Sequence, residues 1–317
     1  MKKILMMAVA AALMCGCEKA IVPESESVNE SERGGVNSDI PTKKFTFTVK
    51  GDFGAASFSG GDDMPAGEPA GTVAARAMTR AAGYLSADGQ DMTDLWVFDY
   101  VDGVCVQSVH QLATDEAWGK PQMSLAYGSH HVYFVASRGD EPSVDAEGHV
   151  IAWGTPRDTF WKDYEVDVVS TSNGNRAVTL DRVATKLRLV VNDEVPAGCA
   201  SVTVTPERWY YGLDYMTGEA VSAQRTDRMV TVPASLVGTT GLLSVSIFGL
   251  SGVDEWTTNV SATAKDADGG VLGTATITGA PFKRNRATEY SGSLFGSAGS
   301  MDVGLNGDWE SPKTGTW

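Results

Sequence analysis

Chemistry-bearing side chains are scarce in this chain of 317 residues, which has four histidines and four cysteines. His110, His130, His131 and His149 show no metal-ligand spacing. The adjacent pair His130 and His131 falls in a predicted strand, where neighbours point to opposite faces and cannot share one ion. HExxH, CxxC, a phosphate-binding loop and the GxSxG elbow are all missing. Positive charge is short as well. The 25 Lys and Arg face 40 Asp and Glu, a net charge of −15, and nucleic acid is excluded as a partner because a phosphate backbone demands a basic footprint. No segment sustains a 3.6-residue apolar period with caps, and residues 72–85 make one short helix at most. The expectation is therefore a protein without catalytic residues, metal or cofactor.

The N-terminus carries an export signal. Lys2 and Lys3 precede an apolar run over residues 4–14, well short of the ~20 residues that cross a bilayer. Met14-Cys15-Gly16-Cys17 follows. Gly16 supplies the small residue that lipoprotein processing needs before an acylated cysteine, although Met14 stands where an aliphatic residue is usual. Residues 1–16 are thus expected to be removed and Cys17 to carry lipid, with enough buried CH₂ groups for stable anchoring. Ordinary secretion is the plainer alternative. Cys105 and Cys199 then remain, either bridged, as an oxidising compartment permits, or as two free thiols. Residues 17–42, rich in Ser, Glu and Gly, read as a flexible tether with an r.m.s. span of roughly 28 Å.

Beyond the tether the dominant period is two. Phe45, Phe47 and Val49 alternate with polar residues, which predicts a strand with one buried face. A Gly- and Pro-rich stretch over 51–83 is too irregular for a core. Residues 94–100 and 104–110 flank Asp102-Gly103 and predict a hairpin; 122–127 and 130–137 repeat the pattern around Gly128. Segments 164–169 and 177–180 close a first unit, 43–183. A second, 184–317, holds predicted strands over 187–191, 201–205, 229–232, 242–250, 257–264, 271–278, 289–294 and 301–305. Short strands at close spacing imply β-sandwiches, so the fold class is all-β with two tandem sandwich domains. Asp62-Asp63 and Asp193-Glu194 are acidic pairs without a site around them. The run Lys265-Asp266-Ala267-Asp268-Gly269-Gly270 lacks the closing Glu of a calcium loop and reads as a hairpin turn.

Two aromatic groups stand out: Trp153, Phe160, Trp161 and Tyr164 in one loop-rich region, and Trp209, Tyr210, Tyr211 and Tyr215 in another. Burial in cores and at the domain junction is the preferred reading. The alternative is a glycan-binding surface lipoprotein of a polysaccharide-uptake system, stacking sugars on Trp153, Trp161 or Trp209.

Several features together resemble the fimbrillin superfamily of Bacteroidales, lipoproteins that build or anchor surface fimbriae. They are the signal ending at Cys17, Met78-Thr79-Arg80-Ala81, and the strand Asp94-Leu95-Trp96-Val97-Phe98-Asp99-Tyr100 with its Asp102-Gly103 turn. The strand after Tyr127-Gly128, Arg182-Val183-Ala184-Thr185-Lys186-Leu187, Pro281-Phe282-Lys283-Arg284-Asn285-Arg286-Ala287-Thr288, Gly292 and Asp308-Trp309 complete the set. The resemblance implies transthyretin-like sandwiches, a lipid anchor in the outer membrane, and a surface or fimbrial location. It also implies other fimbrial subunits as partners and a receptor on a host or bacterial surface. Polymerising members are cut after an arginine, which removes the first strand and opens a groove for a neighbour's strand. The matching position here is Arg80, before Ala81, with Arg76 as second choice and a solvated loop arginine as the bland alternative. The strand removed would carry Phe45, Phe47 and Val49; anchor-type members retain it. Anchor, stalk and tip roles are not separated by the sequence. Residues 311–317 read equally as a donor segment or a loose tail.

Overall fold

The computed structural model describes residues 40–52, 86–87, 90–138, 142–145, 147–295 and 301–304. Cys17, Arg76, Arg80, Ala81, most of the tether, residues 72–85 and residues 305–317 lie outside them. Among the described residues the only helical piece is a 3₁₀ turn, Ala234–Leu236. The first half contributes β1 (Thr42–Gly51), β2 (Ser86–Ala87), β3 (Gln90–Asp91), β4 (Asp94–Val101), β5 (Val104–Leu112), β6 (Gln122–Ala126), β7 (Gly128–Ser137), β8 (Ser143–Asp145), β9 (Val150–Ala152), β10 (Thr159–Val168) and β11 (Asn175–Arg182). The second contributes β12 (Ala184–Val191), β13 (Cys199–Pro206), β14 (Trp209–Asp214), β15 (Glu219–Gln224), β16 (Arg228–Thr231), β17 (Leu243–Leu250), β18 (Trp256–Asp266), β19 (Val271–Phe282), β20 (Arg286–Gly292) and β21 (Met301–Gly304).

A seven-stranded sheet runs β5-β4-β7-β10-β11-β1-β6. Its halves join at β10 and β11 through just two residue pairs, Phe160 with Arg182 and Trp161 with Asp181. The sheet folds over at that narrow join, and its inner faces close on one core. Phe45, Phe47 and Val49 from β1 meet Leu95 and Val97 of β4 and Val132, Phe134 and Ala136 of β7. Period-two patterning accounts for this, since alternate side chains of one strand share a face. The second core lies between sheets β17-β12-β20-β21 and β16-β13-β18-β19 and is built on Leu187, Leu189, Val202, Val204, Trp209 and Tyr290.

Two expectations change. Residues 122–126 and 128–137 do not pair with each other around Gly128. β6 pairs with β1, whereas β7 pairs with β4 and β10, so Gly128, at φ 137°, is a corner between the two halves of the sheet. The Asp102-Gly103 hairpin and the turn after Asp266 form as expected. In the latter, Asp266 Oδ1 accepts hydrogen bonds from the Asp268 and Gly270 amides at 3.0 and 2.7 Å.

The second change concerns the aromatic regions. Phe160, Trp161 and Tyr164 lie in β10, and Trp209, Tyr210 and Tyr211 in β14, so neither group is mainly loop. β14 and β15 leave the second sandwich and pair with β9 and β8, forming a four-stranded sheet, β15-β14-β9-β8, on the outer face of β4 and β7. A third apolar cluster fills that interface: Trp96, Phe98, Tyr100, Tyr133, Ile151 and Trp153 from the first half, Leu213, Tyr215 and Leu250 from the second, and Val183 where the two meet.

Candidate functional site: the seat of the first strand

β1 occupies the middle of its half-sheet, hydrogen-bonded on both sides. It runs antiparallel to β6 from Thr42–Ala126 to Thr46–Gln122, and parallel to β11 from Thr46–Asn175 to Gly51–Leu180. The flanking loops continue the ladder. The Thr46 amide donates to the Gly174 carbonyl at 2.7 Å, Phe47 to Pro121 at 3.0 Å, Val49 to Gly119 at 2.9 Å and Asp52 to Leu180 at 2.8 Å. A Cβ on Gly174 would stand 2.3 Å from the Lys44 carbonyl oxygen, so glycine is required for that close approach.

Side chains complete the seat. Phe45, Phe47 and Val49 are fully buried. Phe47 meets Phe134 edge-on with centroids 5.2 Å apart and Tyr164 at 6.0 Å. The Arg176 guanidinium covers the Phe45 ring at 5.3 Å. Three such side chains are worth roughly 5–9 kcal/mol of apolar burial. The strand is nevertheless the first described element, and the next, β2, begins at Ser86. A break anywhere in residues 53–85 would detach β1 while leaving β2 to β21 on one continuous chain.

Several polar groups elsewhere among the described residues are engaged in structural bonds. His130 and Asp99 form a buried pair at 2.7 Å between Nδ1 and Oδ1. The His130 Nε2 lies 3.0 Å from the Ala126 carbonyl. A carbonyl accepts only, so Nε2 is the donor in that bond. Burial pushes the Asp99 carboxyl above its ordinary range, against the hydrogen bond and charge of His130. Arg182 makes a bidentate bond to Asp158 at 2.8 and 2.9 Å, buried, and lies over the Phe160 ring at 4.9 Å. His131 faces outward to Asp163 at 3.1 Å, so the two neighbouring histidines do point to opposite faces. His110 pairs with Asp94 at 2.9 Å and His149 with the Tyr100 hydroxyl at 3.0 Å.

Cys105 and Cys199 are not bridged to each other; burial raises the Cys199 thiol above its ordinary range. The sugar platforms are lost. Trp153 and Trp209 are 3% and 1% exposed. Their indole N–H groups donate inward, to Ser137 Oγ at 3.2 Å and to the Phe248 carbonyl at 2.8 Å. Trp161 donates to the Tyr215 carbonyl at 2.7 Å, and Gly218 sits against its ring. Sequence reasoning missed β2, β3, β8, β9, β14 and β15 altogether: the first four have two or three residues, Glu219–Gln224 has no buried residue to mark an apolar face, and Trp209–Asp214 buries four of its six residues without a strict alternation.

No family model matches the chain, and no curated protein matches it. Among solved structures, it is similar to a candidate adhesin from Bacteroides ovatus, with 13% identity over 88% of this chain and 96% of that one, TM-score 0.48. A fimbrial assembly protein from Parabacteroides distasonis aligns at 9% identity over 84% of this chain and 96% of the other, TM-score 0.45. The tip fimbrial protein Mfa3 from Porphyromonas gingivalis, with a C-terminal truncation, aligns at 12% identity over 68% and 94%, TM-score 0.39.

Proposed function

We propose that this chain is an exported lipoprotein, held in the outer membrane through Cys17, that serves as a fimbrial subunit or as a fimbrial anchor or accessory component in adhesion. Two modules, 43–183 and 184–317, follow the tether over 17–42. Its partners are other fimbrial subunits and a surface receptor, and its working chemistry is strand exchange rather than catalysis. The observation that carries the reading is the seat of β1: a first strand, centrally paired, apolar on one face, and joined to the rest through residues 53–85. Cleavage after Arg80 would leave Ala81 as the new terminus. The emptied seat would expose the β6 and β11 ladders together with an apolar slot facing Phe134 and Val97, which a neighbour's strand can fill by β-augmentation. Retention of β1 gives the anchor form.

Mass spectrometry of protein extracted from the native cell surface tests this. A lipidated Cys17 terminus identifies the anchored form, and an Ala81 terminus in higher-order ladders identifies the polymerising one. Arg80→Ala should abolish those ladders while Cys17→Ser abolishes lipid labelling. A surface protein with neither terminus, unaffected by both substitutions, would overturn the proposal.

A further inference from the structure

β7 and β10 form a long antiparallel pair in which His131 stands directly opposite Glu165 and Tyr133 opposite Asp163. Cross-strand and diagonal neighbours on one face come within side-chain reach. This register therefore gathers one imidazole and two carboxylates, and one ligand atom from each of His131, Asp163 and Glu165 falls within 4.8 Å of the others. His131 Nδ1 is 3.1 and 3.2 Å from the two Asp163 oxygens. Two ligands of one tetrahedral zinc ion, with bonds near ~2.1 Å, stand roughly 3.4 Å apart, so this pair needs little adjustment. Glu165 is exposed and free to close the remaining gap.

Charge points the same way. Among the described residues neither Asp163 nor Glu165 has a lysine or arginine partner; Lys162, the nearest in sequence, pairs with Asp181 at 2.9 Å. The His131 ring lies parallel to Tyr133 at 6.0 Å and 15°, which fixes the imidazole plane. His110, by contrast, has a single carboxylate, Asp94, at hand.

We infer that His131, Asp163 and Glu165 bind a divalent transition metal of the zinc class on the outer face of β7 and β10. An imidazole with two carboxylates suits zinc or cobalt better than calcium or magnesium, which favour oxygen ligands alone. Solvent would hold the fourth position. The inference does not depend on strand exchange, since the site lies on the face opposite to Phe47.

Calorimetric titration of the full mature chain with Zn²⁺, and visible absorption of the Co²⁺ form, test it. One equivalent should bind, with a Co²⁺ spectrum of low coordination number. His131→Ala and Glu165→Gln should each weaken binding at least tenfold, and His110→Ala should leave it unchanged. Both substituted positions are surface ones, so matching circular dichroism is expected. No saturable Zn²⁺ uptake, uptake unaltered in His131→Ala, or uptake lost in His110→Ala would overturn the inference.

Discussion

His130 shows how one side chain ties two elements together. It reaches from β7 to Asp99 on β4 with one nitrogen and to the Ala126 carbonyl, at the end of β6, with the other. Asp99 has a raised pKa in the folded state. The folded chain therefore holds its proton more tightly than the unfolded chain does. This carboxyl favours folding most at low pH, and its contribution declines as pH climbs from the ordinary value of 3.8 through the raised one. Asp99→Asn retains a hydrogen-bonding side chain and has no proton to lose. Urea midpoints across that pH range should show the variant gaining on the parent as pH rises. The gain should be about 1.4 kcal/mol for each tenfold difference in proton affinity between the two states. A gap that stays constant with pH would refute this account of the pair.

At the scale of elements, β1 concentrates the energetics of the first sandwich. Phe47 is fully buried between Phe134 and Tyr164, so Phe47→Ala should cost about 3–5 kcal/mol. Lys44→Ala, at an exposed position of the same strand, should stay within about 0.5 kcal/mol. Chemical denaturation of the two variants checks both values. The inward face of β1 was legible because Phe45, Phe47 and Val49 alternate with polar residues, and β4 and β5 because Asp102-Gly103 marks their turn. The partners of β1 were not. Its parallel neighbour β11 lies more than a hundred residues downstream, and no local pattern encodes a pairing of that range. Gly128 failed as a hairpin signal for a related reason. Its positive φ serves a corner as readily as a turn, and which of the two forms is decided by the distant β1 and β10. The metal-binding trio was equally hidden, since His131 and Glu165 meet only through the register of β7 and β10.

For the molecule as a whole, the sheet β15-β14-β9-β8 governs how the two cores are coupled. β14 belongs by sequence to the second half yet pairs with β9 of the first, Leu213 opposite Ile151. Tyr215 is the centre of this junction. It is fully buried, stacks on Phe98 at 4.3 Å and 10°, and shares a hydroxyl contact of 2.9 Å with Tyr100. Its carbonyl accepts the Trp161 indole N–H, and Gly218, at φ 71°, lets the hairpin pass over that ring where a Cβ would come within 2.8 Å. Tyr215→Phe preserves the stack and deletes one hydroxyl, for a cost of about 1 kcal/mol. Tyr215→Ala opens a cavity in the junction while leaving both sandwich cores intact, because Tyr215 belongs to the third apolar cluster and to neither sandwich core. Scanning calorimetry of the parent chain should show one cooperative transition, and that of Tyr215→Ala two. Coupling of this kind matters to a proposed fimbrial component, since pull between an anchored N-terminus and a partner on the second half would pass through the junction. A single unchanged transition in Tyr215→Ala would mean that the halves are joined chiefly by the chain through Val183, whose carbonyl accepts from the Ser251 amide at 3.0 Å, and by the contact of Arg182 with Asn285.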